Sequence, residues 1–453
     1  MKLSKITLLA FVTMGLFTAC GTDEPLPNTE PTDLDNELLV ALRAAAPTGS
    51  ESHFVLPASD DFSSIPQDAQ NPLSREKVAL GKLLFHETGL ALNPKHAISM
   101  EGFSCASCHF AGAGFQANRV QGIADGGLGF GLNGEGRVRG VMYDRSEVDV
   151  QPLRSPSAMN LAYQTNLLWS GQFGGTNLNI GTEDQWTENT PKAVNELGFE
   201  GLVTQAIAGL GVHRQKPGEE FFEKYPDYKP LYDAAFPDID PAERYDVTTT
   251  GMAIGAYERT LLANEAPFQQ WLAGDMSALN EQEKEGAVLF FTKGQCATCH
   301  NGPSLANMEF HALGMKDLID CPEEIFQVAE GSTQRGRGAF TQRPEDNYKF
   351  KVPQLYNLTD SPFYGHGSSF RTVEEVIAYK NVARAENDRI DMGQLSEHFV
   401  PLNLTSGEVS AIAAFIEVGL RDPNLARYEP SSLPSGNCFP NNDPLSKQDL
   451  GCE

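Results

Sequence analysis

The chain has 453 residues, of which 40% are hydrophobic and 21% charged, and its formal net charge is −26. This length suggests two or three domains with buried cores. The excess of acidic residues argues against binding to nucleic acid or to an anionic membrane surface, because phosphate contacts require lysine and arginine.

The first twenty residues are typical of an export signal. Lys2 and Lys5 precede a short apolar run at 6–16, and "FTAC" places small residues before Cys20. The run is too short to span a bilayer permanently. The segment resembles a bacterial lipoprotein signal, in which the cysteine is lipidated; ordinary secretion is the alternative. We therefore expect an exported protein on the periplasmic side or in the cell envelope, anchored to the membrane only by a lipid at Cys20.

Residues 21–55 contain a stretch rich in proline and acidic residues with few apolar ones. This composition predicts a flexible tether. An amphipathic helical pattern then follows Ser74, a good N-cap residue, and ends in "GKLLF" at 81–85. A similar pattern follows Asn280, with Glu283 placed to close a capping box, and ends in "GAVLF" at 286–290. The similarity predicts an internal repeat of two helical units in tandem.

Further helical patterns cover 251–272, with a proline break, and the stretch after Thr405, where Glu408 closes a capping box. No strand pattern has comparable length. The sequence therefore predicts a mainly α protein. We expect an N-terminal domain over 56–270, a C-terminal domain over 271–430, and a tail over 431–453.

Four of the eight cysteines lie in two copies of one motif. These copies supply Cys105, Cys108 and His109 in "CASCH", and Cys296, Cys299 and His300 in "CATCH". Cys-x-x-Cys-His is typical of haem c attachment, because two thiols form thioethers with one porphyrin and the adjacent imidazole reaches the iron. A thioredoxin-like pair, a shared zinc site or a short disulfide explains the repeated histidine less well. We predict two haem c groups, with the two histidines as iron ligands.

The tail contains Cys438 and Cys452 in a loop-like stretch. In an oxidising compartment these two cysteines are expected to form a disulfide. Cys321 is then left over, and the sequence assigns it no role.

From about Pro72 to Leu420 the chain resembles the bacterial di-haem cytochrome c peroxidase family, which includes the MauG-type enzymes. The resemblance rests on the two motifs and on the order of several stretches, among them "RSPSAMNLAY", "LLWSGQ", "AIGAYERTLL" and "FKVPQLYNLTDSPFYGHGSSFRTVEEVIAYKN". It implies two tandem cytochrome c-like helical domains, each with one covalently bound haem c. It also implies that the N-terminal haem meets peroxide and that the C-terminal haem passes electrons.

Two catalytic residues follow from the resemblance. The tryptophan between the haems corresponds to Trp169 in "LLWSGQ"; an ordinary aromatic core residue is the alternative. The family glutamate that moves the proton of peroxide corresponds to Glu196 in "AVNELGFEG", with Glu200 as the second choice. A solvated carboxylate at a helix start is the alternative for Glu196.

Three positions depart from the family pattern. The sequence has no histidine between His109 and His213, where many members place the histidine that caps the peroxidatic iron, which implies an open site. At the sixth ligand of the C-terminal haem, ungapped register favours Lys380, whereas ligand chemistry favours the adjacent Tyr379. Ser155 replaces an asparagine that helps to bind an interdomain Ca²⁺ in relatives, so the resemblance suggests calcium and this substitution weakens the suggestion.

These observations support three hypotheses. The first is a di-haem c peroxidase that reduces hydrogen peroxide, with electrons from a small cytochrome c or another redox protein. The second is a MauG-like enzyme that oxidises tyrosine or tryptophan side chains of a partner protein, which the open site and Tyr379 favour. The third is a non-enzymatic electron carrier with two closed haems.

Overall fold

The computed structural model describes residues 30–327, 331 and 333–452. The export signal and Cys20 lie outside these residues. The described helices are α1 Asp33–Ala45, α2 Arg75–His86, α3 Gly201–Val212, α4 Glu219–Lys224, α5 Tyr228–Ala235, α6 Val247–Arg259, α7 Pro267–Leu272, α8 Glu281–Phe291, α9 Arg337–Thr341, α10 Val373–Val382, α11 Ser406–Ala414 and α12 Pro444–Leu450. The strands form two antiparallel pairs, β1 Gly127–Leu128 with β2 Val138–Arg139, and β3 Phe310–His311 with β4 Phe350–Lys351. The prediction of a mainly α protein is confirmed.

The helix starts predicted from capping residues are also present. The Ser74 side chain accepts a hydrogen bond from the Lys77 backbone at the start of α2. Complete capping boxes start α8, at Asn280 and Glu283, and α11, at Thr405 and Glu408. The 251–272 pattern is divided: α6 ends at Arg259, and α7 begins only at Pro267.

The first helical unit is built on a close crossing of α2 and α6. A Cβ atom added to Gly81 of α2 would lie 1.9 Å from the Ala253 carbonyl oxygen and 2.9 Å from Cβ of Tyr257. No side chain fits between the two backbones, so glycine is required at this position.

The second unit repeats this crossing with α8 and α11. A Cβ atom on Gly286 would lie 1.9 Å from the Ala411 carbonyl oxygen and 3.0 Å from Cβ of Phe415. The glycines of "GKLLF" and "GAVLF" therefore occupy equivalent places, which confirms the internal repeat. One hydrophobic core extends through both units and contains Phe85 and Phe290 of the two repeats.

The N-terminal segment is part of the second unit. Helix α1 packs on α8, and its buried Asp35 accepts a hydrogen bond from Nε1 of Trp271 at 2.8 Å and pairs with Nζ of Lys284 at 2.6 Å. Leu38 and Leu42 of α1 are fully buried. The predicted flexible tether over 21–55 therefore does not extend through residues 33–54: apolar residues at helical spacing give this segment a face that it buries.

The C-terminal segment packs in the opposite direction, on the first unit. Arg137 and Asp443 form a buried ion pair at 3.3 Å. The predicted disulfide between Cys438 and Cys452 is present, with Cα atoms 6.0 Å apart. The N-terminal segment thus packs on the second unit, and the C-terminal segment packs on the first. No helix among the described residues is both long and apolar enough to cross a membrane.

Candidate active site

Both cysteine-histidine motifs open onto one cavity of about 680 Å³. The cavity lies between the two helical units, and its walls include all six motif residues, Cys105, Cys108, His109, Cys296, Cys299 and His300. The structure therefore brings together two motifs that are 191 residues apart in the sequence.

The first motif presents a neutral imidazole and two neutral thiols. Cys105–Ser107 form one turn of 3-10 helix, and Nδ1 of His109 donates to the Phe115 carbonyl oxygen at 3.1 Å. This bond leaves Nε2 of His109 for a metal ion. Burial lowers the pKa of His109 to about 4 and raises the pKa of Cys105 and that of Cys108 to about 12.

The second motif repeats this geometry. Cys296–Thr298 form a 3-10 turn, and Nδ1 of His300 donates to the Leu305 carbonyl oxygen at 3.0 Å. Burial and, to a smaller extent, the nearby positive charge of Lys380 lower the pKa of His300 to about 3. Each unit therefore offers two thiols and one imidazole with a free Nε2 to the same cavity.

Two buried cations on the cavity wall fit an anionic ligand. Arg154 is 4% exposed and donates to Gln116 Oε1 at 2.6 Å and Ser361 Oγ at 2.9 Å. Lys351 is 7% exposed, and its Nζ donates to the side-chain oxygen of Gln164. Burial lowers the pKa of Arg154 to about 9 and that of Lys351 to about 7. Within the described chain, neither cation has a carboxylate partner. Haem carries two propionate groups, so the cavity residues fit haem in charge as well as in ligand type.

Comparison with known proteins agrees with this fit. The family model of di-haem cytochrome c peroxidases matches residues 75–277. A cytochrome-c peroxidase of Denitromonas iodatirespirans is 28% identical over 405 residues, 84% of this chain and 91% of that protein. Methylamine utilization protein MauG of Methylorubrum extorquens is 27% identical over 360 residues, 80% of this chain and 82% of MauG. The family-model match and the relatives named MauG and cytochrome-c peroxidase support a di-haem cytochrome c peroxidase/MauG family for this chain.

Solved structures show the fold of the family. A MauG-like protein associated with microbial copper homeostasis superposes with a TM-score of 0.54 at 22% identity and covers 82% of this chain and 95% of its own. The diheme peroxidase of Burkholderia thailandensis gives a TM-score of 0.51 at 17% identity, over 81% of this chain and 90% of its own. The fold of this chain is thus similar to the folds of these two proteins.

Trp169, predicted to be the tryptophan between the haems, lines the cavity and is held by both units. Its indole Nε1 donates to the Arg154 carbonyl oxygen at 2.7 Å, and its own carbonyl accepts from the Lys351 backbone at 2.9 Å. The edge of its ring meets His366, with ring centroids 6.3 Å apart. Lys351 belongs to β4 in the second unit, so Trp169 is fixed where the two units meet.

Glu196 is not on the cavity wall. It is exposed in the 3-10 helix Pro191–Leu197, whereas Pro191 and Lys192 of the same helix line the cavity. The inward position belongs to the buried Asn195, whose Oδ1 accepts from the Gly174 backbone at 2.9 Å. The adjacent Glu196 therefore points outward.

The second choice, Glu200, is also absent from the wall. Its carboxylate pairs with the guanidinium of buried Arg259 at 2.7 Å. The structure thus brings neither predicted glutamate to the centre where we expected one.

Lys380 and Tyr379 are neighbours on α10, but their side chains point to different surroundings. Lys380 lines the cavity, and burial lowers its pKa. The Tyr379 hydroxyl donates to the Leu313 carbonyl oxygen at 2.6 Å, and its ring packs against Phe370 and Phe399. Of the two ligand candidates, the geometry therefore favours Lys380.

Sequence reasoning missed two titratable side chains on the wall beside the first motif. One is His213, whose Nδ1 donates to Asp149 at 2.9 Å, and no pattern links residues 64 positions apart. The other is Glu258 of α6, which is 6% exposed and has an Oε2 without a hydrogen-bond partner within the described chain. Its spacing of four from the buried Ile254 was a usable signal, because it places a carboxyl on the apolar face of a helix.

Ser155, at the calcium-related position, is buried on the cavity wall. Across the described ranges, the group of His, Cys, Asp and Glu side chains that could hold a metal consists of Cys299, Glu309 and His311, and it uses a cysteine of the second motif. Calcium stays a prediction.

Proposed function

We propose that this chain is a di-haem c peroxidase that reduces hydrogen peroxide at the N-terminal centre, with electrons that enter through the C-terminal centre. It is an oxidoreductase of the peroxidase type, as the relatives named cytochrome-c peroxidase indicate. The assignment of peroxide reduction to the N-terminal centre, and of electron entry to the C-terminal centre, rests on the different side chains that line the cavity beside the two motifs. Asp149, His213 and Glu258 surround the first motif, whereas the amine of Lys380 lies beside the second. Peroxide reduction consumes protons and electron transfer does not.

Each motif would hold one haem c through its two cysteines and its histidine, and Arg154 and Lys351 would neutralise propionates. The bound haems supply the redox chemistry, in which hydrogen peroxide, two protons and two electrons give two water molecules. Trp169 would relay electrons, since it contacts backbone from both units. The reductant is a small cytochrome c or another redox protein.

Lys380 is our choice for the sixth ligand of the C-terminal iron. An amine binds iron only in its neutral form, and burial lowers the pKa of Lys380 in that direction. Tyr379 is the alternative, and it would first have to give up its bond to Leu313.

A MauG-like oxidation of a partner protein is the second candidate. It is favoured by the absence of any histidine between His109 and His213, because a centre without a capping ligand needs no reductive activation. Export is also part of the proposal and is supported by the signal-like first twenty residues; lipidation at Cys20 would give the membrane anchor.

The test is a peroxide titration of the purified ferric holoprotein, followed by visible and EPR spectra, with and without reduced cytochrome c. Catalytic oxidation of the cytochrome supports the peroxidase. A long-lived oxidised species without turnover supports the MauG-like candidate. No reaction in either the ferric or the pre-reduced protein would leave the electron carrier and reject both enzymes.

A further inference from the structure

We propose that Asp317, acting through the ring of His366, stabilises the oxidised form of Trp169 and so speeds electron transfer between the two centres. The inference rests on the proposed function, in which Trp169 relays electrons, and it assigns residues that make this relay favourable. His366 and Asp317 are positioning residues, because they act on Trp169 and neither is assigned a contact with peroxide.

The ring of His366 lies between Trp169 and Asp317. Its centroid is 6.3 Å from that of Trp169, and its Nε2 is 3.1 Å from Oδ1 of Asp317. A carboxylate only accepts hydrogen bonds, so Nε2 carries the proton. The ring of Phe350 stacks on His366 at 3.6 Å, and the His366 carbonyl accepts from the Arg154 backbone at 3.0 Å. The imidazole is therefore fixed in position by its ring, its Nε2 and its backbone.

The hydrogen bond of Trp169 decides the charge of its oxidised ring. The indole Nε1 donates to the Arg154 carbonyl oxygen at 2.7 Å. A peptide carbonyl accepts hydrogen bonds but does not take up protons near neutral pH. When Trp169 loses an electron, the proton therefore stays on Nε1 and the ring becomes a cation. A negative charge near the ring lowers the free energy of this cation.

The other charged side chains attached close to Trp169 are cations. Arg154 and Lys351 both bond to Trp169 through their backbones, and the guanidinium of Arg337 donates to the adjacent Ser170 carbonyl oxygen at 3.1 Å. All three cations are buried. Positive charges raise the free energy of a further cation. Haem propionates would offset Arg154 and Lys351, but Arg337 leaves a need for an anion from the chain itself.

Asp317 provides this anion. Three carboxyl side chains of the described residues line the cavity; two lie beside the first motif, and the third, Asp317, bonds to His366. Oδ2 of Asp317 also accepts from Asn387 Nδ2 at 2.9 Å and from the guanidinium of Arg389. The side chain of Asp317 is 2% exposed and that of Arg389 is 37% exposed. Solvent therefore screens the charge of Arg389 more than that of Asp317.

The relay step transfers electrons one at a time. Trp169 gives one electron to the N-terminal centre, which peroxide has oxidised, and the proton of Trp169 stays on Nε1. The C-terminal centre then gives one electron to the Trp169 ring and restores it. No covalent bond forms or breaks in either transfer. Asp317 stabilises the state between the two transfers, in which Trp169 is a cation.

Asp317→Asn removes the charge and keeps the shape of the side chain. The full-length holoprotein is oxidised with peroxide, a laser flash with a flavin reductant then reduces the C-terminal haem, and the absorbance gives the rate of electron transfer to the N-terminal centre. We expect Asp317→Asn to slow this transfer about tenfold. The peroxide reaction and the reduction potentials of both haems should not change. The matched control is Glu147→Gln, since Glu147 also binds a histidine, His96 at 3.0 Å, but outside the cavity.

Further variants separate this role from a structural one. His366→Gln should slow the transfer as well, and the double variant with Asp317→Asn should lose little more, because the two residues act as one unit. Asp317→Glu should recover part of the rate. EPR of the protein frozen after peroxide and before any donor should show less tryptophan radical in Asp317→Asn than in wild type. His96→Gln is the matched control for His366→Gln and should behave as wild type does.

Trp169→Phe distinguishes failure of the inference from failure of the proposed function. If Trp169→Phe slows the transfer and Asp317→Asn does not, the relay stands and the inference is overturned. A slower transfer in Asp317→Asn with a shifted haem potential would also overturn it, because the charge would then act on a haem and not on Trp169. If Trp169→Phe transfers electrons as wild type does, or wild type does not react with peroxide, the proposed function fails and the inference fails with it.

Discussion

The two cysteine-histidine motifs share sequence and helix crossing but differ in what covers them. The C-terminal tail covers the first motif, where Ser104 and Ser107 both donate to the Pro440 carbonyl oxygen, at 2.9 and 3.1 Å. In the second motif Gln295 and Thr298 are exposed. A covered centre is insulated from outside reductants, and an exposed one is accessible to them. The comparison shows that one local motif stands in two different surroundings, which supports the proposed division of labour between the two centres.

The largest expected effect comes from removing each motif in turn, which tests whether the two motifs have different tasks. We expect Cys105→Ser with Cys108→Ser, and Cys296→Ser with Cys299→Ser, each to lose one of two covalent haems, measured by haem staining after denaturation. The first pair of changes should abolish the reaction with peroxide. The second should preserve that reaction but stop turnover with reduced cytochrome c. Equal loss of the peroxide reaction in both would contradict a division of labour.

Replacement of Lys380 tests whether this residue is the sixth ligand of the iron at the second centre. Lys380→Met exchanges an amine for a thioether and should raise the reduction potential of that haem and change its low-spin EPR signal. Tyr379→Phe is the neighbouring control and should leave both unchanged, since Tyr379 bonds to Leu313. The opposite pattern would assign the ligand to Tyr379. Spectroelectrochemistry with EPR gives both readouts.

Loss of the disulfide in the C-terminal tail tests whether the tail shields the first centre from reductants. Cys438→Ser with Cys452→Ser opens a loop with a sequence separation of 14. Closing a loop of this size is worth about 3 kcal/mol of unfolding free energy. We expect this loss in urea unfolding and faster reduction of the N-terminal haem by dithionite. Cys321→Ser is the control, because Cys321 forms no disulfide.

The last prediction concerns Glu258 and the pH dependence of stability. Burial raises its pKa from 4.5 to about 8. Between these values the unfolded chain releases the proton and the folded chain keeps it, so stability falls as pH rises, by up to about 1.4 kcal/mol per unit. Glu258→Gln should lack this contribution in urea unfolding between pH 5 and 8. The exposed Glu196→Gln should keep the wild-type slope, and an unchanged slope in Glu258→Gln would disprove the assignment.

Sequence reasoning predicted the parts of the site that depend on neighbouring residues. The turn of Cys105–Ser107 follows from a five-residue motif. Nε2 of His109 is left free by a bond from its Nδ1 to Phe115, only six residues along the chain. The outward direction of Glu196 could not be predicted, because it depends on Asn195 bonding to a loop more than twenty residues away. A shift of one residue reverses which side chain faces inward.

The sequence by itself determined the mainly helical class, the capped starts of α2, α8 and α11, the repeat and both motifs, because these features arise from contacts within a few residues. The tertiary structure alone decided that His213 bonds to Asp149 and that Lys380 rather than Tyr379 faces the cavity. It also decided that each end of the chain packs on the helical unit that is distant from it in sequence. These depend on side-chain direction and on contacts between distant segments. Local periodicity does not encode them.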